Sequence, residues 1–171
     1  MIKKRQHLLV LLLVIYSIVI LYFMFFGFGR PQISNSIQEY KFSLIPTSIP
    51  LWYPIQFSFL WFFSLGNLLA FVPFGILIPT MFNVKYGRFI FIFLFSIFSL
   101  EILQMITYLG SFDIEDIIVN SMGASIGFFS YRISSKFELT WQKISSILLL
   151  IMILSFGMIG FAEIFNKIIK N

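Results

Sequence analysis

Long apolar stretches alternate with short polar interruptions along this chain, and the length of the apolar stretches is what predicts its elements. A helix needs about 20 apolar residues to cross the hydrocarbon core of a bilayer, and runs of that order stand at 8–28, 58–82, 89–109, 113–131 and 144–165. The pattern predicts an all-α, polytopic membrane helix bundle of about five transmembrane helices, with one membrane domain over residues 1–171. The fourth run is the least apolar. Its first turn carries Asp113, Glu115 and Asp116 and its middle carries Asn120, Ser121 and Ser125, which predicts a helix buried among the others. The stretch 29–57 is the one sizeable loop, and Leu51, Trp52 and Tyr53 within it predict that it lies along the membrane interface.

Composition excludes a soluble domain. Hydrophobic residues make up 59% of the chain and charged residues 11%, against about 25% charged in an ordinary soluble domain, and the mean hydropathy is +0.96. Zero cysteines remove disulfides and thiolate metal sites. The basic amino-terminal residues followed by an apolar run are like a signal peptide, but the run is about 21 residues long and lacks a small-x-small cleavage site, so a retained anchor is expected. Lys3, Lys4, Arg5, Lys85, Arg88, Arg132, Lys136 and Lys143 fall on one side of the bundle and Arg30, Lys41, Lys167 and Lys170 on the other. The positive-inside rule then predicts a multi-pass cell-membrane protein with a cytoplasmic N-terminus and an extracytoplasmic C-terminus.

Polar residues inside such runs are the candidate chemistry, because a carboxylate in hydrocarbon costs several kcal/mol unless it is paired or wetted. At 1.5 Å per residue, Glu101 lies about 12 Å, Asn120 about 10 Å and Asn67 about 13 Å from the outer ends of their runs. Gln104 shares a face with Glu101, and Asp113, Asp116 and Asn120 follow i, i+3, i+7 along one stripe, with Glu115 pointing elsewhere. The expected object is a polar crevice of Asn67, Glu101, Gln104, Asp113, Asp116 and Asn120 open to the external side, with Arg30 as the ion-pair partner available to Glu101. Each residue also has a plainer use. Asp113 and Asp116 could serve the positive end of a helix, and Asn67 could bond a neighbouring helix. Pro73 and Gly75, and Gly123 and Gly127 with Ser121 and Ser125, suit a helix kink and close helix packing. Glu101, Asp113 and Asp116 could offer oxygen ligands to Mg²⁺ or Ca²⁺, but no metal or cofactor is expected. His7 has no second imidazole near it in sequence. No phosphate-binding loop is present and no nucleic-acid partner is expected.

Read in order, Asn67-Leu68-Leu69-Ala70-Phe71-Val72-Pro73-Phe74-Gly75, Glu101-Ile102-Leu103-Gln104, Phe112-Asp113-Ile114-Glu115-Asp116 and Asn120-Ser121-Met122-Gly123 with Gly127 resemble the signature of the VanZ-like family. Arg30 and Leu44-Ile45-Pro46 fit the same layout, so the likeness covers residues 30–131. Two departures stand out: Glu115 replaces the second aspartate of the usual Asp-Ile-Asp-Asp, and Gly110 and Ser111 stand where many relatives carry a basic residue. The founding member is associated with low-level resistance to teicoplanin, a lipoglycopeptide that binds cell-wall precursors outside the membrane. The resemblance therefore implies a bacterial cell-envelope protein linked to antibiotic resistance. Three roles follow as alternatives: a non-catalytic module binding a lipid headgroup, a lipid-linked cell-wall precursor or another membrane protein; a small enzyme using Glu101 or Asp116 for acid-base chemistry or metal ligation on a lipid-linked substrate; or a lipid transporter. The first is favoured, because polar residues thin out toward the cytoplasmic half of the third and fourth runs.

Overall fold

The computed structural model describes residues 2–27, 39–53 and 59–170, with side chains described from residue 6 in the first stretch and from residue 61 in the last. Its helices are α1 (Ile2–Phe26), α2 (Phe59–Ala70), α3 (Val72–Met81), α4 (Tyr86–Ile106), α5 (Ile114–Ser134) and α6 (Thr140–Lys170), and two short strands, β1 (Phe42–Ser43) and β2 (Phe112–Asp113), pair in parallel. The molecule is a helical membrane bundle. Gln6–Phe26, Trp61–Met81, Tyr86–Ile106 and Thr140–Lys170 are each long and apolar enough to cross a bilayer. α5 does not meet that criterion, yet it is the hub, packed by α2, α3, α4 and α6.

One span is broken in the middle. α2 and α3 meet at Phe71, and Pro73 in the first turn of α3 has no N–H to offer the Leu69 carbonyl, so the helical ladder is interrupted. The neighbouring Ala70 carbonyl accepts a hydrogen bond from the Tyr16 hydroxyl of α1 at 2.7 Å. One carbonyl beside the break is thus answered from a neighbouring helix, the kind of partner a backbone group needs away from water. Beyond it, α3 lies backbone to backbone on α5. A Cβ on Gly75 would strike the backbone of Ala124 and Phe128, and one on Gly127 would strike the Val72 carbonyl. Gly123 meets the Leu68 carbonyl in the same way, so these glycines set the helix separation.

Three boundaries differ from the hydropathy pattern. α4 stops at Ile106 and not at residue 109, because Tyr108 turns left-handed at φ 56°. Leu109 N–H reaches the Gln104 carbonyl and Tyr108 N–H the Met105 carbonyl, which together form a Schellman stop. A tyrosine in that conformation costs about 1 kcal/mol, and its ring stacks on Tyr40 at 5.0 Å between centroids. The Tyr40 hydroxyl beside it raises the Tyr108 phenol above its ordinary range, chiefly through a side-chain hydrogen bond. α6 runs 31 residues, about 46 Å at 1.5 Å per residue, and so outreaches a hydrocarbon core of about 30 Å.

The third difference concerns the loop. Residues 47–53 do not simply lie along an interface; they form a strap that enters the bundle. Ile49 and Leu51 alternate at the two-residue period of extended chain and bury with Leu68, Val72, Val119 and Ile159. Its backbone polar groups are taken by side chains. Glu115 Oε1 accepts from Thr47 N–H and Ser48 N–H, both at 2.8 Å. The Asn166 amide pairs with both backbone groups of Ile49 at 2.7 and 2.8 Å, and Glu163 accepts from Tyr53 N–H at 2.9 Å. The extra length of α6 supplies the last two residues.

Candidate functional site

Beside the strap, α1, α2, α4 and α5 enclose a cavity of about 240 Å³. Its wall includes Asn67, Glu101, Gln104, Asp116 and Asn120, together with Ser64, Pro50 of the strap, and Ile20, Phe23 and Met24 of α1. Five of the six residues expected in one crevice therefore face one space. The sixth does not. Asp113 sits at the N-cap of α5, where its carboxylate accepts from Glu115 N–H at 2.8 Å. That is the ordinary use of an aspartate at this position, satisfying one of the free N–H groups of a helix start. Arg30 lies outside the described residues, so its expected pairing with Glu101 is not part of this geometry.

Local structure fixes each side chain. Glu101 is 1% exposed and Oε2 accepts from Asp113 N–H at 3.2 Å, which ties α4 to the start of α5. Gln104, one turn later and also 1% exposed, donates from Nε2 to the Met24 carbonyl near the end of α1 at 2.6 Å. Asp116 and Asn120 are four residues apart and so share a face of α5. Asn120 is 3% exposed and its Oδ1 accepts no hydrogen bond from the described residues. An enclosed amide oxygen left unpaired is costly, and here it stands in the wall of a polar cavity.

The site is shallower than the apolar runs suggest. Measured from the helix ends nearest the strap, Glu101 lies about 8 Å in, Asn120 about 9 Å and Asn67 about 12 Å, at 1.5 Å per residue. The early stop of α4 accounts for the change at Glu101. At about 30 Å³ per water, the cavity has room for roughly eight waters or a group of that size. Its described polar lining consists of carboxylates, amides and a hydroxyl, with no Lys, Arg or His. Among the described residues, no three His, Cys, Asp or Glu side chains gather in a metal-binding group. Glu101 and Asp116 are the two carboxylates in the wall.

Sequence reasoning missed three things. It gave α1 no part in the site, although Ile20, Phe23 and Met24 close one wall. Ser64 precedes Asn67 by one helical turn, and that i, i+3 spacing was a usable signal. It also set Glu115 aside as pointing elsewhere; Glu115 is off the cavity, but it grips the strap, as do Glu163 and Asn166, an i, i+3 polar pair in an otherwise apolar helix.

Comparison with known proteins agrees with the motif order. A family model described as VanZ/LLP1 matches residues 13–135. The chain is similar to Protein VanZ of Enterococcus faecium, with 31% identity over 93 residues, 53% of this chain and 56% of that protein. It thus spans about half the length of the curated relative it matches. No solved structure matches.

Proposed function

The chain belongs to the VanZ/LLP1 family, and on that footing we propose that it is a non-catalytic membrane module whose polar cavity receives the headgroup of an outer-leaflet lipid or lipid-linked cell-wall precursor. In this reading the strap end of the bundle faces outward, the orientation favoured by eight basic residues against four. Occupancy there alters how a teicoplanin-type antibiotic reaches its target. The observation that carries the proposal is the gathering of Asn67, Glu101, Gln104, Asp116 and Asn120 around one enclosed space. Four helices and a strap bring polar groups to a depth where each would otherwise be costly.

The aromatic packing on the other side of the cavity supports binding over passage. Phe71 meets Phe93 edge to face at 5.8 Å, and Phe89 stacks on Phe128 at 5.0 Å. With the glycine seam beside them, these rings close the interior between α3, α4 and α5, so that a headgroup or ion leaving the cavity by that route would meet aromatic surface.

Glu101→Gln and Asp116→Asn keep side-chain shape and remove charge. Expressed in a bacterial host, they are expected to abolish any change in teicoplanin susceptibility that the parent confers, with membrane accumulation unchanged. Full susceptibility change in both variants, at parental protein level, would remove the cavity from the mechanism.

A further inference from the structure

A second and larger space adjoins the polar cavity. It is an apolar groove of about 510 Å³ between α1, α3 and α4, walled by Leu13, Phe74, Ile78, Ser96 and Leu100 among others, and it shares Ile20 and Phe71 with the polar cavity. Along α4 its wall runs from Phe89 to Leu103, about 21 Å at 1.5 Å per residue. That exceeds the roughly 15 Å half-thickness of a hydrocarbon core of about 30 Å. A polar chamber and a hydrocarbon-lined trough meeting at two residues have the form of an amphiphile.

We propose that the two spaces are one binding site for a single lipid, whose hydrocarbon chain lies in the α1–α3–α4 groove while a headgroup that donates hydrogen bonds, through an ammonium or hydroxyl group, enters the cavity and meets Asn120. This rests on the headgroup reading above and adds the chain and the polarity of the head. The head must donate because Asn120 Oδ1 is a buried acceptor with no partner among the described residues. A bare phosphate offers no such match, since the described lining holds no cationic side chain. The chain belongs in the groove because Ser17, Ser96 and Ser99, the hydroxyls along it, are internally satisfied by the Leu13, Ile92 and Phe95 carbonyls and present little polarity to it.

The test uses the full chain in nanodiscs of phosphatidylcholine, whose head carries no hydrogen-bond donor, doped with photoactivatable lipids that carry the same diazirine-bearing chain on three heads. Phosphatidylethanolamine supplies an ammonium, diacylglycerol a hydroxyl, and phosphatidic acid, ionised to its dianion at about pH 9, only acceptor oxygens. Cross-links within the groove should be about tenfold more frequent for at least one donor head than for phosphatidic acid, the ratio expected for one hydrogen bond to a buried acceptor. Which donor head wins identifies the source. Asn120→Leu should erase the preference, and Asn120→Ser, a smaller change, should weaken it if the first variant does not accumulate. Ser96→Phe should lower groove cross-links for every head by blocking the trough. Equal cross-linking of all three heads in the parent would overturn the inference. If that happens while Glu101→Gln and Asp116→Asn still abolish the antibiotic phenotype, the headgroup reading stands without the groove; a clear head preference with unaffected phenotype would spare the lipid site and sink the resistance role.

Discussion

α1 and α5 invert the rule that governs soluble proteins. The apolar stretch of α1 has a mean hydropathy of 2.9 and almost none of its residues is buried, whereas α5 is too polar to count among the spans and sits at the centre of the bundle. In water the apolar residue goes inside; in lipid the surroundings are as apolar as leucine, and hydrophobicity no longer selects the interior. What selects it is the need of polar groups for partners and of small residues for close contact. α5 carries both along one stripe at i, i+4, i+7 and i+11: Asp116 and Asn120 at the level of the cavity, then Gly123 and Gly127 against α2 and α3.

The largest effect should come from filling the seam of α5. Gly127→Val forces side-chain atoms into the Val72 carbonyl and the Gly75 backbone, which cannot yield as a flexible side chain would. A loss of about 3 kcal/mol or more is expected, seen as a lower midpoint in detergent-driven unfolding. Gly157→Val in α6, where nothing lies within 4 Å, should leave the midpoint unchanged. Equal loss at both positions would rule out the seam as the cause, since helix propensity by itself favours valine over glycine.

Releasing the strap ranks second. Glu115→Ala removes the acceptor for two backbone N–H groups and the Thr47 hydroxyl, at a cost of about 2 kcal/mol for hydrogen bonds to a charged group partly open to water. Because the chain has no cysteine, Leu51→Cys gives a clean probe. Its labelling by a maleimide should be slow in the parent background and about tenfold faster with Glu115→Ala. Glu115→Gln keeps one oxygen in place and should sit near the parent. No change in labelling with Glu115→Ala would show that Asn166 and Glu163 hold the strap unaided.

α1 supplies the smallest effects and the sharpest contrast. Tyr16→Phe deletes the bond to the Ala70 carbonyl at the span break and should cost about 0.6–1.7 kcal/mol, the range for hydrogen bonds between membrane helices. Leu11→Ala, on a side chain 54% exposed and so facing lipid, should cost less than about 0.5 kcal/mol. A Leu11 effect larger than the Tyr16 effect would mean that α1 is held by apolar packing, and the inversion drawn above would fail for this helix.

Much of the bundle could be read from residue order because the bilayer imposes a fixed length on apolar runs and a heavy cost on stray polar groups. Those two constraints located the spans to within a turn or so at most ends, marked α5 as the interior helix, and grouped Asn67, Glu101, Gln104, Asp116 and Asn120. They also fixed Pro73 and the glycines as positions of backbone consequence. What the tertiary structure alone decided is where helices end and who answers each polar group. α4 stops at a left-handed Tyr108 that hydropathy cannot register, since the stop depends on a stack with Tyr40, 68 residues earlier. Asp113 caps a helix and Glu115 grips a strap, although neighbouring acids in one first turn look alike in sequence; their side chains diverge because α5 begins at Ile114 and the strap crosses only one face. The strap itself depends on Ile49, Leu51, Glu115, Glu163 and Asn166, residues up to 117 positions apart, and contacts of that range are a property of packing, which no local pattern encodes.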